Sequence, residues 1–146
     1  MRGRLVALYL SLIALCYSCG SSDVVIMQDV NIGSWDEQAT ICFENEQAGS
    51  LYDIDIVLHV NSNYSTKSCQ MEIAVTAPDS LSTSEIITLH TPLEAKSPAA
   101  KARDIVVPYR RRIEMTQSGA YNYTLRPVTP LSDVESVGIV FKPQNR

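Results

Sequence analysis

Asp53 and Asp55 come closer than any other residues of this chain to a reactive pair. Two positions apart on a strand, they share one face with Cα atoms roughly 7 Å apart. Two carboxylates at that separation suit glycoside hydrolysis or calcium binding, and His59 falls on the same face. The same residues also make an ordinary solvated face that keeps an outer strand soluble. That second reading is preferred, and the expectation is that the protein is not an enzyme. Other catalytic signatures are missing. There is no G-x-S-x-G elbow, and neither His59 nor His90 belongs to a recognisable triad. Cys42, Cys69 and the two histidines lack C-x-x-C or H-x-x-x-H spacing, so neither a structural zinc nor another cofactor is expected. Cys42 and Cys69 fall on opposite strand parities, which argues against a disulfide between them even where the compartment permits one.

Binding chemistry has two candidates. Trp35, in the segment Gly33-Ser34-Trp35-Asp36, together with Tyr64, Tyr109, Tyr121 and Tyr123, supplies aromatic rings of the kind that stack on sugars. Tyr121 and Tyr123 share parity with Leu125 and are better read as core, and Trp35 as a plug at one end of the fold. Arg110, Arg111 and Arg112 form the dense positive patch of a chain with a formal net charge of −4. Three arginines on an edge strand block edge-to-edge aggregation. They also suit docking to an acidic partner. Arg110, Arg111, Arg112 and Trp35 are therefore the candidate partner-binding residues. The acidic balance argues against a nucleic-acid partner.

These residues must be delivered to the right compartment and held by a fold. Residues 1–18 have the layout of a lipoprotein signal peptide. Arg2 and Arg4 form a positive start, Leu5 to Leu15 an apolar stretch too short for a mature span, and Ser18 the small residue before Cys19. Cys19 is the expected acylated N-terminus, with residues 19–23 as a polar tether. The acyl chains, not charge, would hold the protein to a cell-envelope membrane, with the outer membrane favoured.

Residues 24–146 read as β throughout. Ala39, Ile41 and Phe43 alternate with Thr40, Cys42 and Glu44, and Tyr52, Ile54, Ile56, Leu58 and Val60 with Asp53, Asp55, Val57 and His59. Cys69, Met71, Ile73 and Val75 supply the inward face of a further strand, which Pro78 and Asp79 end. Ile86 to Leu89 is a short β-prone run, and the residues from Thr91 to Arg103 make a loop or short helix. The pattern resumes at Ile105, although Arg111 falls on the inward parity and Pro108 cannot donate to a ladder. Those breaks predict an edge strand or a bulge. Tyr121, Tyr123 and Leu125, then Val137, Ile139 and Phe141, complete the inward faces. About eight short strands without a βαβ rhythm predict a single all-β antiparallel sandwich, either jelly-roll or immunoglobulin-like.

The stretch from Ser118 to Pro143 resembles the end of the gliding motility-associated lipoprotein H (GldH) family of Bacteroidetes. Gly119 and Tyr121 match its "G-x-Y" strand start, and Val134, Val137, Gly138 and Ile139 its closing strand. Trp35 and the Asn61 to Tyr64 turn agree in outline, whereas LEAKSPAAKARDI replaces the family's glycine- and tryptophan-containing loop. The resemblance implies a lipid-anchored, non-enzymatic component of a cell-envelope assembly related to the gliding apparatus, with envelope protein partners. The alternatives are a glycan-binding surface lipoprotein with an aromatic platform around Trp35, and a small hydrolase with a cleft at Asp53 and Asp55.

Overall fold

The computed structural model describes residues 22–91 and 101–145. The expected signal peptide, Cys19 and most of the expected loop or short helix after Thr91 lie outside the described residues. Within them are eight strands and no helix: β1 (Val24–Asp29), β2 (Ala39–Asn45), β3 (Ser50–Asn61), β4 (Ser68–Thr76), β5 (Ser82–His90), β6 (Ala102–Met115), β7 (Gly119–Pro127) and β8 (Val134–Gln144). No described helix is long and apolar enough to cross a membrane.

Side-chain alternation sets the faces as expected. In β2, Ala39, Ile41, Phe43 and Asn45 are buried while Thr40, Cys42 and Glu44 are exposed. Ile54, Ile56, Leu58 and Val60 of β3 are wholly enclosed, as are Met71, Leu125, Ile139 and Phe141 from other strands. Cys69 is buried and Cys42 exposed, and both are free thiols.

Two four-stranded antiparallel sheets result, ordered β1-β8-β3-β6 and β2-β7-β4-β5. Strand β1 pairs with β8, β2 with β7, β3 with β6 and β4 with β5. The chain is thus one long antiparallel ribbon whose rungs fall alternately in the two sheets, which is a jelly roll. An immunoglobulin-like sandwich would place several consecutive strands side by side; here only β4 and β5 are so placed. Burial of apolar area between the sheets drives the association, and aromatic rings join them. Phe43 of β2 stacks on Phe141 of β8 at 4.0 Å between centroids, with Tyr52 edge-on to Phe43 and Tyr123 edge-on to Phe141.

Trp35 closes one end. It is 1 % exposed, its backbone bridges Leu131 in both directions, and its Nε1 donates to the Glu37 carbonyl at 2.7 Å. Tyr64 is equally enclosed and Tyr121 and Tyr123 are buried. Trp35 is thus the plug expected at one end; the alternative of an exposed aromatic platform around it is overturned, and as a candidate partner-binding residue Trp35 offers no ring to a partner.

Strand β6 is an edge strand with irregular pairing to β3. The register slips between Tyr52 and Ile54 and again between Ile54 and Asp55, opposite Pro108 to Ile113. Arg112 within this stretch has φ of +49°. Each slip adds a residue to β6 and resets its alternation. Arg111 therefore does not point inward as simple parity predicts. It lies on the outer face beside Asp55.

Candidate functional site

The outer face of the β1-β8-β3-β6 sheet gathers Asp53, Asp55, His59, Arg111 and Arg112. Asp55 is on this face, as its parity requires, yet it is 2 % exposed. Two long side chains enclose it. Arg111 Nη1 from β6 lies 2.7 Å from Oδ1, and Lys142 Nζ from β8 lies 2.7 Å from Oδ2. The expected solvated aspartate is instead the buried centre of an ion triad across three strands. Burial pushes its pKa up, but the contacts and charges of Lys142 and Arg111 outweigh that and hold the carboxyl below its ordinary value. Asp55 correspondingly raises the pKa of Lys142.

Asp53 does not join Asp55 in a reactive pair. Its Oδ1 accepts the backbone N–H of Arg112 at 2.8 Å and so fixes the bulge. His59, further along β3, sits between two carboxylates. Nδ1 is 2.6 Å from Asp104 of β6, and Nε2 is 3.5 Å from Glu135 of β8. The carboxylates approach opposite edges of the ring, and among the described residues no group of three His, Cys, Asp or Glu is arranged to hold a metal ion.

The three arginines go to three different places. Arg110 crosses to the other sheet and pairs with Glu85 of β5, which also accepts the Tyr109 hydroxyl at 2.6 Å. Arg110 additionally lies over the Tyr109 ring, 4.5 Å from its centroid. Burial, then Glu85, raises the Tyr109 pKa, while Tyr109 and Arg110 hold Glu85 below its ordinary value. These contacts clamp the two edges β5 and β6 together. Arg111 covers Asp55. Arg112 is exposed, and among the described residues no ion pair involves its guanidinium.

Between the triad and the histidine lies a band that the sequence reading missed. Register places Val25, Val140, Asp55 and Pro108 in one row across the sheet and Met27, Gly138, Val57 and Val106 in the next. Val25 is 57 % exposed, Val106 50 % and Met27 37 %, whereas Val57 and Val140 in the middle are buried. A signal for it was present. The stretches Val24–Met27, Ile56–Leu58, Ile105–Val107 and Ile139–Phe141 are unbroken apolar runs, the pattern of strands covered on both faces. The strands of the other sheet instead alternate, and their outward positions include Thr40, Asn122, Thr124, Gln70, Thr76 and Ser84.

Two of the grooves among the described residues lie elsewhere. One, of about 750 Å³, is lined by residues of the β2–β3 connection and the end of β8, including Glu44, Glu46, Ser50, Tyr52 and Gln144. The other, of about 470 Å³, lies over Asp36, Glu37, Glu72 and Arg126, where Arg126 pairs with Glu72 at 2.7 Å. Neither of these grooves contains Asp53 or Asp55.

No family model matches the chain, and no curated protein does. Among solved structures it is similar to part of a family GH115 4-O-methyl-α-glucuronidase with specificity for decorated arabinogalactans. The TM-score is 0.36 at 10 % identity, covering 79 % of this chain and 14 % of that one. It is also similar to part of dimeric latent PorU from Porphyromonas gingivalis, with a TM-score of 0.37 at 10 % identity, covering 86 % of this chain and 14 % of that one. The chain spans about a seventh of either protein, and likenesses this distant carry no argument about function.

Proposed function

We propose that the protein is a lipid-anchored, non-enzymatic component of a bacterial cell-envelope assembly, related to the gliding motility apparatus, that works by binding protein through the outer face of its β1-β8-β3-β6 sheet. The observation that carries this reading is the composition of that face. Asp55 is tied to Arg111 and Lys142, and His59 to Asp104 and Glu135, across strands, and the two middle rows of the face present exposed valine and methionine, a surface suited to being covered. Arg111 and Arg112, expected to meet a partner, border this band. The tether and the relation to gliding lipoproteins rest on the Ser18-Cys19 junction and on the Gly119, Tyr121 and Gly138 pattern of the sequence.

Labelling cells with a clickable fatty acid tests the anchor. The wild-type chain should take up label and Cys19→Ala should not; label on the variant would remove the anchor from the proposal. Purification from solubilised envelopes tests the surface. Val106→Asp, at an exposed position, should fold normally and lose a bound envelope protein, whereas unchanged binding would place the contact elsewhere.

A further inference from the structure

We infer that the partner covering the β1-β8-β3-β6 face is a second copy of this chain, packed face to face about a two-fold axis that lies in the interface and runs across the strands near Ile56. The inference deepens the proposed function and rests on its reading of this face as a docking surface.

The pattern of rows carries the argument. Along β3 the outward positions are Asp53, Asp55, Val57 and His59, about 7 Å apart. The row at Asp53 includes Lys142, and Arg112 is bonded there. The row at Asp55 is Val25, Val140 and Pro108, with Arg111 over the aspartate. The row at Val57 is Met27, Gly138 and Val106. The row at His59 contains Asp29, Ser136 and Asp104, with Glu135 beside it. The face therefore runs from a cation-bearing row through two largely apolar rows to an acidic row. At the first end the exposed cations Arg111, Arg112 and Lys142 stand beside Asp23, Asp53 and Asp55, of which Asp55 is buried beneath its cations. At the other end Asp104 and Glu135 flank His59, with Asp29 in the same row.

Such a face is complementary to itself. A two-fold axis running across the strands reverses strand direction while keeping β1 over β1 and β6 over β6 of the second copy. It sets the Asp53 row over the second copy's His59 row, so Arg112 on β6 meets Asp104, Lys142 on β8 meets Ser136 and the neighbouring Glu135, and Asp53 meets His59. It sets the Asp55 row over the Val57 row, so Val25 meets Met27 and Pro108 meets Val106. An axis parallel to the strands would oppose acidic row to acidic row and is disfavoured. A partner that was merely acidic or merely apolar would satisfy one end or the middle of the face, and a second copy satisfies both ends and the middle. The footprint, four strands about 4.8 Å apart by four rows, is roughly 500 Å² per copy. That is below the ~800 Å² per partner of a standard interface, so the association is weak and concentration-dependent.

Sedimentation of the detergent-solubilised full chain over a range of concentrations tests this, with circular dichroism melting to confirm that each variant is folded. The wild type should pass from monomer to dimer. Val106→Asp and Val25→Asp should each weaken dimerisation by at least about tenfold at unchanged melting temperature. Asp104→Lys alone should weaken it, and Asp104→Lys with Arg112→Glu in the same chain should restore it, because each copy then offers the reversed pair to the other. A wild type that stays monomeric throughout overturns the inference, as does a dimer indifferent to Val106→Asp or a charge swap that fails to restore. If the wild type is monomeric while Val106→Asp still loses a bound envelope protein, the face docks a different protein: the inference fails and the proposed function stands.

Discussion

Removing Asp55 should cost less stability than removing the charges of the two residues that cover it. Asp55→Ala leaves Arg111 and Lys142 with side chains 49 % and 39 % exposed, free to take up water, and should cost about 1 to 2 kcal/mol. Arg111→Met with Lys142→Met keeps the cover but removes both charges, leaving a buried carboxylate with no counter-charge, and should cost about 3 to 5 kcal/mol. The pH dependence separates the cases further. In the wild type the carboxyl titrates below its ordinary 3.8 and Lys142 above its ordinary 10.5. The triad's stabilisation is therefore fully present between those values. It is lost as pH falls through the lowered carboxyl pKa, and again as pH rises through the raised ammonium pKa. In the double variant the sign on the acid side reverses. An unpaired buried carboxyl prefers its proton, so stability should rise as pH falls toward and below neutrality. Urea unfolding of the wild type, Asp55→Asn and the double variant across pH measures this, and parallel profiles for all three would mean that the triad contributes nothing.

At the level of the strands, Gly138 decides whether β1 can lie beside β8. A Cβ at this position would come within 2.3 Å of the Ile26 carbonyl oxygen and 2.2 Å of Met27 Sδ. Met27 can swing aside, but the backbone of β1 can only move away. Gly138→Ala should cost about 2 to 3 kcal/mol and loosen β1 preferentially, read by denaturant unfolding and by faster amide exchange in residues 24–29. Alanine tolerated there with β1 exchange unchanged would refute the close approach. Gly119, at φ +118°, begins β7 in a conformation that side chains disfavour, so both glycines of the family-like pattern have backbone reasons for being glycine. Much of this level was legible in the sequence. Alternation alone places Ile41, Ile54, Ile56, Met71, Leu125 and Phe141 in the core, because period-two patterning needs only neighbouring residues. What was hidden depends on other strands. The bulges that turn Arg111 outward form against β3, and the burial of Asp55 comes from side chains on β6 and β8, far away in sequence. Likewise β5 runs from Ser82, well before the apolar Ile86–Leu89 run, because its pairing with β4 extends through residues whose side chains are small and polar.

Over the whole molecule, pairing each strand with its complement from the other end of the chain makes the first and last strands neighbours and leaves four strands inside and four at edges. Nothing in a local pattern could distinguish this wrapping from an immunoglobulin-like one, since both use the same alternating strands. The wrapping has a measurable consequence. Strands β3 and β8 carry neighbours on both sides and hold Ile54, Ile56, Leu58, Val137, Ile139 and Phe141 in the core. Strand β1 has one neighbour and a mostly exposed set of side chains, and β5 buries only Leu89 fully. Amides of β3 and β8 should therefore exchange only through global unfolding, while β1 and β5 open locally at several kcal/mol less. Exchange of the full chain followed by mass spectrometry resolves the four strands, and β1 protected to the level of β3 in the dilute protein would contradict it. Concentration supplies the second arm of the experiment. If a second copy covers Val25 and Met27, opening β1 must first break that contact, so exchange in residues 24–29 should slow as protein concentration rises while β5, on the other sheet, does not change. Equal slowing of both edges would point to non-specific association, and no change in either would leave β1 protected by β8 alone.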